Sequence, residues 1–459
     1  MGVVALAAGL GVALVLSSAA LITAASGPSG DALAAAPVAA ADAGDLPAQV
    51  AVELDEMTIS PGQLEIAAGG TLEITNTGSA PHDLVVEGTD LATPMLDAGA
   101  TATLALDELD AGTYLVFCSV AGHRAAGMEA TLVVGGGDAE VVAVDHGAEQ
   151  APAAPDFAVF DPNAAPEDGF EARDARLAPA PEGQLHELEL RVSEIQGEVA
   201  PGTDQELWTF NGTVPGPVIR GKVGDVFRIT FINDGSMPHS LDFHSSKVAP
   251  DVEMRSIDPG EQLVYEFEAK HAGAWMYHCG TAPVLHHTGN GQYGVMIIDP
   301  PDLPAVDHEY VFVQSEFYLG PDGEPGDYAK MLAEEPDIVA FNGYANQYVH
   351  DPITAVAADE RVRVWLLNAG PSEDSTFHVI GSIFDTVWKE GSYRLDPRQH
   401  APGGAQALDL QPSQGGFVEF TFDVDGTYTF VSHQFSQVPR GAAGLFVVGD
   451  AAVDGDVAH

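Results

Sequence analysis

Tyr277-His278-Cys279-Gly280-Thr281-Ala282-Pro283-Val284-Leu285-His286-His287 decides how the rest of the chain is read. A cysteine that ends an aromatic strand, with a histidine eight residues on, has the spacing of a copper–thiolate site. There a thiolate and two imidazoles form a trigonal centre with a weak axial ligand. The second imidazole lies upstream, in Met237-Pro238-His239-Ser240-Leu241-Asp242-Phe243-His244. His278 cannot easily serve the same metal as Cys279, because neighbours on a strand point to opposite faces. The pair therefore reaches two different metals. His286 competes with His287 as ligand, and the spacing from Cys279 favours His287.

Outward from this stretch, the chain repeats one β-unit three times. An alternating strand opens each copy: Leu72 and Ile74, then Phe227, Ile229 and Phe231, then Val362, Val364 and Leu366. Each strand runs into an Asn-x-Gly turn, at Asn76, Asn233 and Asn368, and a histidine follows (His82, His239, His378). A Gly-led aromatic strand closes each copy and ends in Cys118, Cys279 or Ser432. Short alternating strands with frequent turn signals predict an all-β chain of Greek-key sandwiches. Helical periodicity is nearly absent, and one short helix is predicted around Tyr328 to Glu335. Ser432 stands where the other copies have cysteine, so the third copy cannot hold a thiolate copper.

The first copy, residues 49–135, contains His82, Cys118, His123 and Met128 in a Pro-His…Cys-x4-His-x4-Met pattern. It resembles the plastocyanin-like cupredoxins, which implies a type 1 copper held by those four residues. All ligand positions being filled by protein, such a domain carries electrons only.

Copies two and three, residues 184–300 and 301–450, resemble the two cupredoxin domains of copper-containing nitrite reductase along their whole length. The resemblance rests on several stretches. These are Trp208-Thr209-Phe210-Asn211-Gly212-Thr213-Val214-Pro215-Gly216-Pro217, Pro238-His239 through His244, and Tyr277 through His287. Phe377-His378-Val379-Ile380-Gly381 and Val431-Ser432-His433 complete them. The first is shared by multicopper oxidases generally and sets only the superfamily.

The resemblance implies a type 1 copper on His239, Cys279 and His287. It implies a type 2 copper on His244, His278 and His433, the last supplied by a neighbouring subunit of a homotrimer. Electrons then pass from type 1 to type 2 copper through the covalent pair His278–Cys279. Asp242 and His378 match the proton-donating pair, and Ile380 matches the apolar residue that shapes the nitrite pocket. The implied function is one-electron reduction of nitrite to nitric oxide, as in denitrification. A small redox protein, a cupredoxin or a cytochrome c, would act as donor. Where the family has an axial methionine this chain has Gln292; either the axis is bare or the amide oxygen binds.

Two other functions compete with this one. Four-electron oxygen reduction needs a three-copper cluster held by several His-x-His pairs, and no His-x-His occurs in the chain. A non-catalytic electron carrier or copper-holding protein has no need of Asp242, His244, His278, His378 and His433 at one site.

Composition agrees. Two cysteines among 459 residues, each in a copper-like context, argue against a disulfide framework. Asp and Glu number 68 against 17 Lys and Arg, a net charge of −51, which excludes nucleic-acid binding. A lysine-poor acidic surface is what halophilic proteins use. The uncharged run Val3–Ala24 has a helical length of roughly 33 Å, enough for a hydrocarbon core of about 30 Å. Residues 1–27 are therefore a signal peptide or a membrane anchor, and both export the protein. Residues 28–48 are read as linker. Residues 136–183, rich in Ala, Pro and acids, are read as a second linker, about 40 Å end to end if flexible. It would tether the first domain to the others.

Overall fold

A computed structural model describes residues 46–135 and 157–451, except residues 79, 90, 108, 121, 122, 125–127 and 401. The apolar run Val3–Ala24, most of the first linker and residues 136–156 lie outside the described residues. Among the described residues no helix is long and apolar enough to cross a membrane.

The strand Val226–Asn233 shows why the fold is a sandwich. Alternate residues, Phe227, Ile229, Phe231 and Asn233, are buried, while those between them stay half-buried. A pleated strand of this pattern turns one face to a second sheet. It pairs in parallel with Leu185–Ala200 and antiparallel with Gln262–Glu268. Together with Thr203–Phe210 they form a four-stranded sheet. The facing sheet holds Ile219–Lys222, Tyr293–Asp299, Gly273–His278 and Asp242–Phe243. Between the two sheets lie Phe210, Phe227, Phe231, Phe243, Tyr265 and Tyr277.

The first domain repeats this plan with two four-stranded sheets. The third enlarges it to sheets of six and five strands around Phe312, Phe377, Phe420, Phe430 and Phe446. The second and third domains share a further core, in which Met276, Tyr293 and Val295 meet Val313, Trp365 and Phe417. Each fully buried side chain of this size contributes about 1.5–3 kcal/mol, so these two domains form one block.

The Asn-x-Gly turn has the same construction in all three copies. The Asn76 amide donates to Ala80 O at 2.7 Å and Leu96 O at 2.8 Å, and its Oδ1 accepts the Gly78 N–H. Asn233 bonds Met237 O, Ile257 O and the Gly235 N–H. Asn368 bonds Glu373 O, Leu410 O and the Gly370 N–H. One buried side chain thus satisfies three backbone groups that a turn leaves unpaired. It also fixes where the following histidine emerges.

Two local expectations need adjustment. Residues 157–183 do not behave as linker: Ala158 N–H donates to Gly320 O, and Ala175 is buried in the core of the third domain. The Arg173 guanidinium donates to Pro215 O and Gly216 O, and Tyr348 OH donates to Arg173 O. This segment is a strap over the two-domain block. The short helix is Tyr328–Ala333, capped where Asp327 accepts the Lys330 N–H at 2.7 Å. A second helix, Val284–Gly289, carries His286 and His287 and has no counterpart among the sequence expectations.

Candidate metal centres

His239, Cys279 and His287 converge in a buried pocket of the second domain. Cys279 Sγ lies 3.9 Å from His239 Nδ1 and 3.4 Å from His287 Nδ1. Metal bonds of about 2.0–2.3 Å at trigonal angles separate donors by about 3.6 Å, so the three atoms fit one ion. Each ligand is placed by its element. His239 exchanges two backbone bonds with Ile257, Cys279 directly follows the strand Gly273–His278, and His287 sits on the helix Val284–Gly289. The Ser240 N–H points at Cys279 Sγ at 3.4 Å, a bond that favours thiolate.

Gln292 is fully buried beside this group, its Oε1 3.0 Å from His287 Nδ1. Its position is that of Met128 in the first domain. The Cys279 N–H donates to Gln292 O as the Cys118 N–H donates to Met128 O, both at 3.1 Å. His286 is not part of this group; its ring packs edge-on to Trp208 and Tyr328.

In the first domain His82 Nδ1 and His123 Nδ1 are 3.1 Å apart, and Cys118 Sγ is 3.8 and 3.5 Å from them. All three, and Met128, are buried. This donor set fits the same ion. Burial pushes the Cys118 thiol up to about 11 and His123 down to about 4. Burial also opposes ionisation of Cys279, but the imidazoles of His287 and His239 hold its thiol well below the usual range. His239 is raised against its burial, by Cys279 and Glu194, to about 9. A metal cation would take the place of the proton shared there.

A second kind of site lies on the other side of Cys279. His244 Nε2 and His278 Nε2 are 3.0 Å apart, and Asp242 Oδ2 is 3.9 Å from His278 Nε2. Register explains the grouping. Asp242 pairs with His278 across the sheet, and His244 follows two residues later on the same face. His278 Nδ1 bonds Cys279 O at 2.7 Å, which leaves Nε2 free to face His244. Burial first, and His278 second, lower the pKa of His244, so it is kept neutral as a ligand must be.

His433 and His378 do not join this group within the chain. They stand together on the third domain, ring centroids 5.4 Å apart, with His378 Nδ1 bonded to Gln406 O. Around them Ile380, Ile383 and Phe435 are 38%, 70% and 60% exposed. Phe435 packs against the His433 ring at 4.2 Å between centroids, and Ile383 lines one depression with His378.

Tandem cupredoxin sandwiches define a copper-binding oxidoreductase when one side of a strand end carries a cysteine and two histidines and the other side two histidines and an aspartate. The comparisons with known proteins narrow this class. The pattern described as "Multicopper oxidase" matches residues 191–303, and "Cupredoxin-like domain" matches residues 14–134. The solved copper nitrite reductase from Nitrosomonas europaea is 33% identical, with a TM-score of 0.53; the match covers 59% of this chain and 96% of that one. A copper-containing nitrite reductase structure from Thermus scotoductus SA-01 is 28% identical at a TM-score of 0.52, covering 59% of this chain and 64% of that one. The curated copper-containing nitrite reductase of Neisseria meningitidis serogroup A is 36% identical over 260 residues, 54% of this chain and 65% of the relative. The chain belongs to the copper-containing nitrite reductase family. It spans just under two thirds of the length of the curated Neisseria relatives it matches.

Proposed function

We propose that the protein reduces nitrite to nitric oxide, taking one electron and two protons and releasing water. The observation that carries this reading is the pairing of two sites on opposite sides of one strand end. His239, Cys279 and His287 lie on one side, and Asp242, His244 and His278 on the other. Copper held in these sites would supply a one-electron relay at the first and a Lewis-acid position for nitrite at the second. His239, Cys279, His287 and Gln292 form the type 1 set; His244, His278 and a neighbour's His433 form the type 2 set. Asp242 and His378 donate the protons, because the departing oxygen must leave as water. The grouping of His378 with His433 favours both coming from the neighbouring subunit of a trimer, with Ile380, Ile383 and Phe435 covered by the contact. The copper-loaded protein, given nitrite and an artificial reductant, should release nitric oxide. Copper-loaded chains that release none would end this reading.

The first domain is read as an electron donor tethered to the other two. Its Ala80, Pro81, Val120 and His123 face Trp208, Met237, Pro238, His286 and His287 across an apolar cleft of about 500 Å³. Met57 of the first domain also packs with Tyr318, Tyr328 and Met331. A tether of this kind typically supplies a millimolar effective concentration. Cys118→Ser should therefore slow turnover with a small redox protein as donor, a cupredoxin or cytochrome c, and spare turnover with a dye. Equal rates with the protein donor would make the domain a spacer.

Gln292 is read as the axial ligand. An amide oxygen is a harder donor than a thioether and favours the cupric ion. Gln292→Met should raise the type 1 potential by about 59 mV for each tenfold change in preference between the two oxidation states. A redox titration that finds the potential unchanged or lower would remove Gln292 from the site.

Export by residues 1–27, as signal peptide or anchor, belongs to the same proposal, and the uncharged run Val3–Ala24 supports it. The acidic excess supports a halophilic source.

A further inference from the structure

A glutamate braces the Asn-x-Gly turn in each of the three repeats. Glu56 accepts the Ala80 N–H at 3.3 Å. Glu194 accepts the Ser236 N–H, with Oε1 at 3.1 Å and Oε2 at 2.9 Å. Glu316 accepts the Ser372 and Glu373 N–H groups and the Tyr318 hydroxyl. The second of these also reaches a metal pocket: Glu194 Oε1 lies 3.0 Å from His239 Nε2. His239 is fully buried and Glu194 nearly so, at 15% side-chain exposure. The counterpart atom in the first domain, His82 Nε2, is buried and has no hydrogen-bond partner among the described residues.

The approach of Glu194 is built into the turn. A Cβ on residue 235 would stand 2.5 Å from Glu194 Oε1 and 3.0 Å from Oε2. Gly235 therefore leaves the room the carboxylate occupies. Glu194 itself lies on Leu185–Ala200, paired in register with Trp208, whose ring packs against His287 at 4.8 Å.

We propose that Glu194 is a positioning residue for the type 1 copper and sets its potential through His239. The proposal rests on the type 1 assignment made above. A carboxylate that accepts the Nε2–H fixes the tautomer, so that Nδ1 presents its lone pair to the pocket beside Cys279. It also adds negative charge to the imidazole, which makes Nδ1 a stronger donor. A stronger donor and a nearby anion both favour the cupric over the cuprous ion. Glu194 therefore lowers the potential of this centre relative to the copper of the first domain, where His82 Nε2 donates no such bond to a described residue.

The test is a redox titration of the full copper-loaded chain, following the thiolate-to-copper absorption of both type 1 centres. Glu194→Gln keeps the shape and removes the charge. It should retain copper and weaken the preference for the oxidised ion about tenfold, an upward shift of about 59 mV for one electron. Gly235→Ala leaves the glutamate in the chain but pushes its carboxylate off His239, and should move the potential in the same direction. In both variants the first domain's copper serves as internal reference and should not move. If the potential stays unchanged with copper retained, or if both variants simply lose copper from this site, Glu194 only holds the turn and the proposal fails. Failure of the type 1 assignment itself would look different: the unaltered protein would lack the second thiolate-to-copper absorption.

Discussion

Asp242→Asn should lower nitrite turnover by about 10²–10⁴-fold, the range expected when a positioned acid–base group is lost. Asparagine preserves the shape and the strand pairing opposite His278, but it has no proton to give. Nitrite loses an oxygen as water, and that step needs two protons. Asp242 lies beside His244 and His278, on the face turned away from Cys279. The visible absorption due to Cys279 should therefore persist, and His378→Ala should behave in the same way. Steady-state nitric oxide release and the visible spectrum, measured on the same sample, separate this from loss of copper. Unchanged turnover in both variants would remove the pair from catalysis.

The grouping of Cys279 with His287 and Gln292 was legible in the sequence because it is local. Cys279, His287 and Gln292 lie within fourteen residues, and the strand period alone sends His278 and Cys279 to different sides. The three repeats were legible from the Asn-x-Gly turn, whose amide repeats the same bonds at Asn76, Asn233 and Asn368. Glu194 was not legible. It lies 45 residues before His239, in a strand where an acid ordinarily faces water, and only the strand pairing brings it to the pocket. The helix Val284–Gly289 has six residues, too few to show a period. Residues 157–183 have linker composition, yet Arg173 and Ala175 anchor them through partners more than forty and a hundred residues away. Tertiary contacts of this kind leave no local trace.

Mixing a His433→Ala chain with a His244→Ala chain should restore activity that neither shows alone. Within one chain His433 stands beside His378 on the third domain, apart from the cluster of Asp242, His244 and His278. If a neighbour's His433 completes that cluster, each single variant lacks a ligand at every site of its own trimer. In a closed ring the contact is heterologous, so each subunit gives one surface and receives another. Any mixed trimer then has one interface where an intact His244 meets an intact His433. With equal, random mixing about a quarter of the sites recover. Nitric oxide release after unfolding and co-refolding, or after co-expression with two affinity tags to prove mixing, measures it directly. Proven mixed trimers without recovery would mean that His433 serves its own chain or no copper at all. The exposed Ile383 and Phe435 beside it would then need another partner.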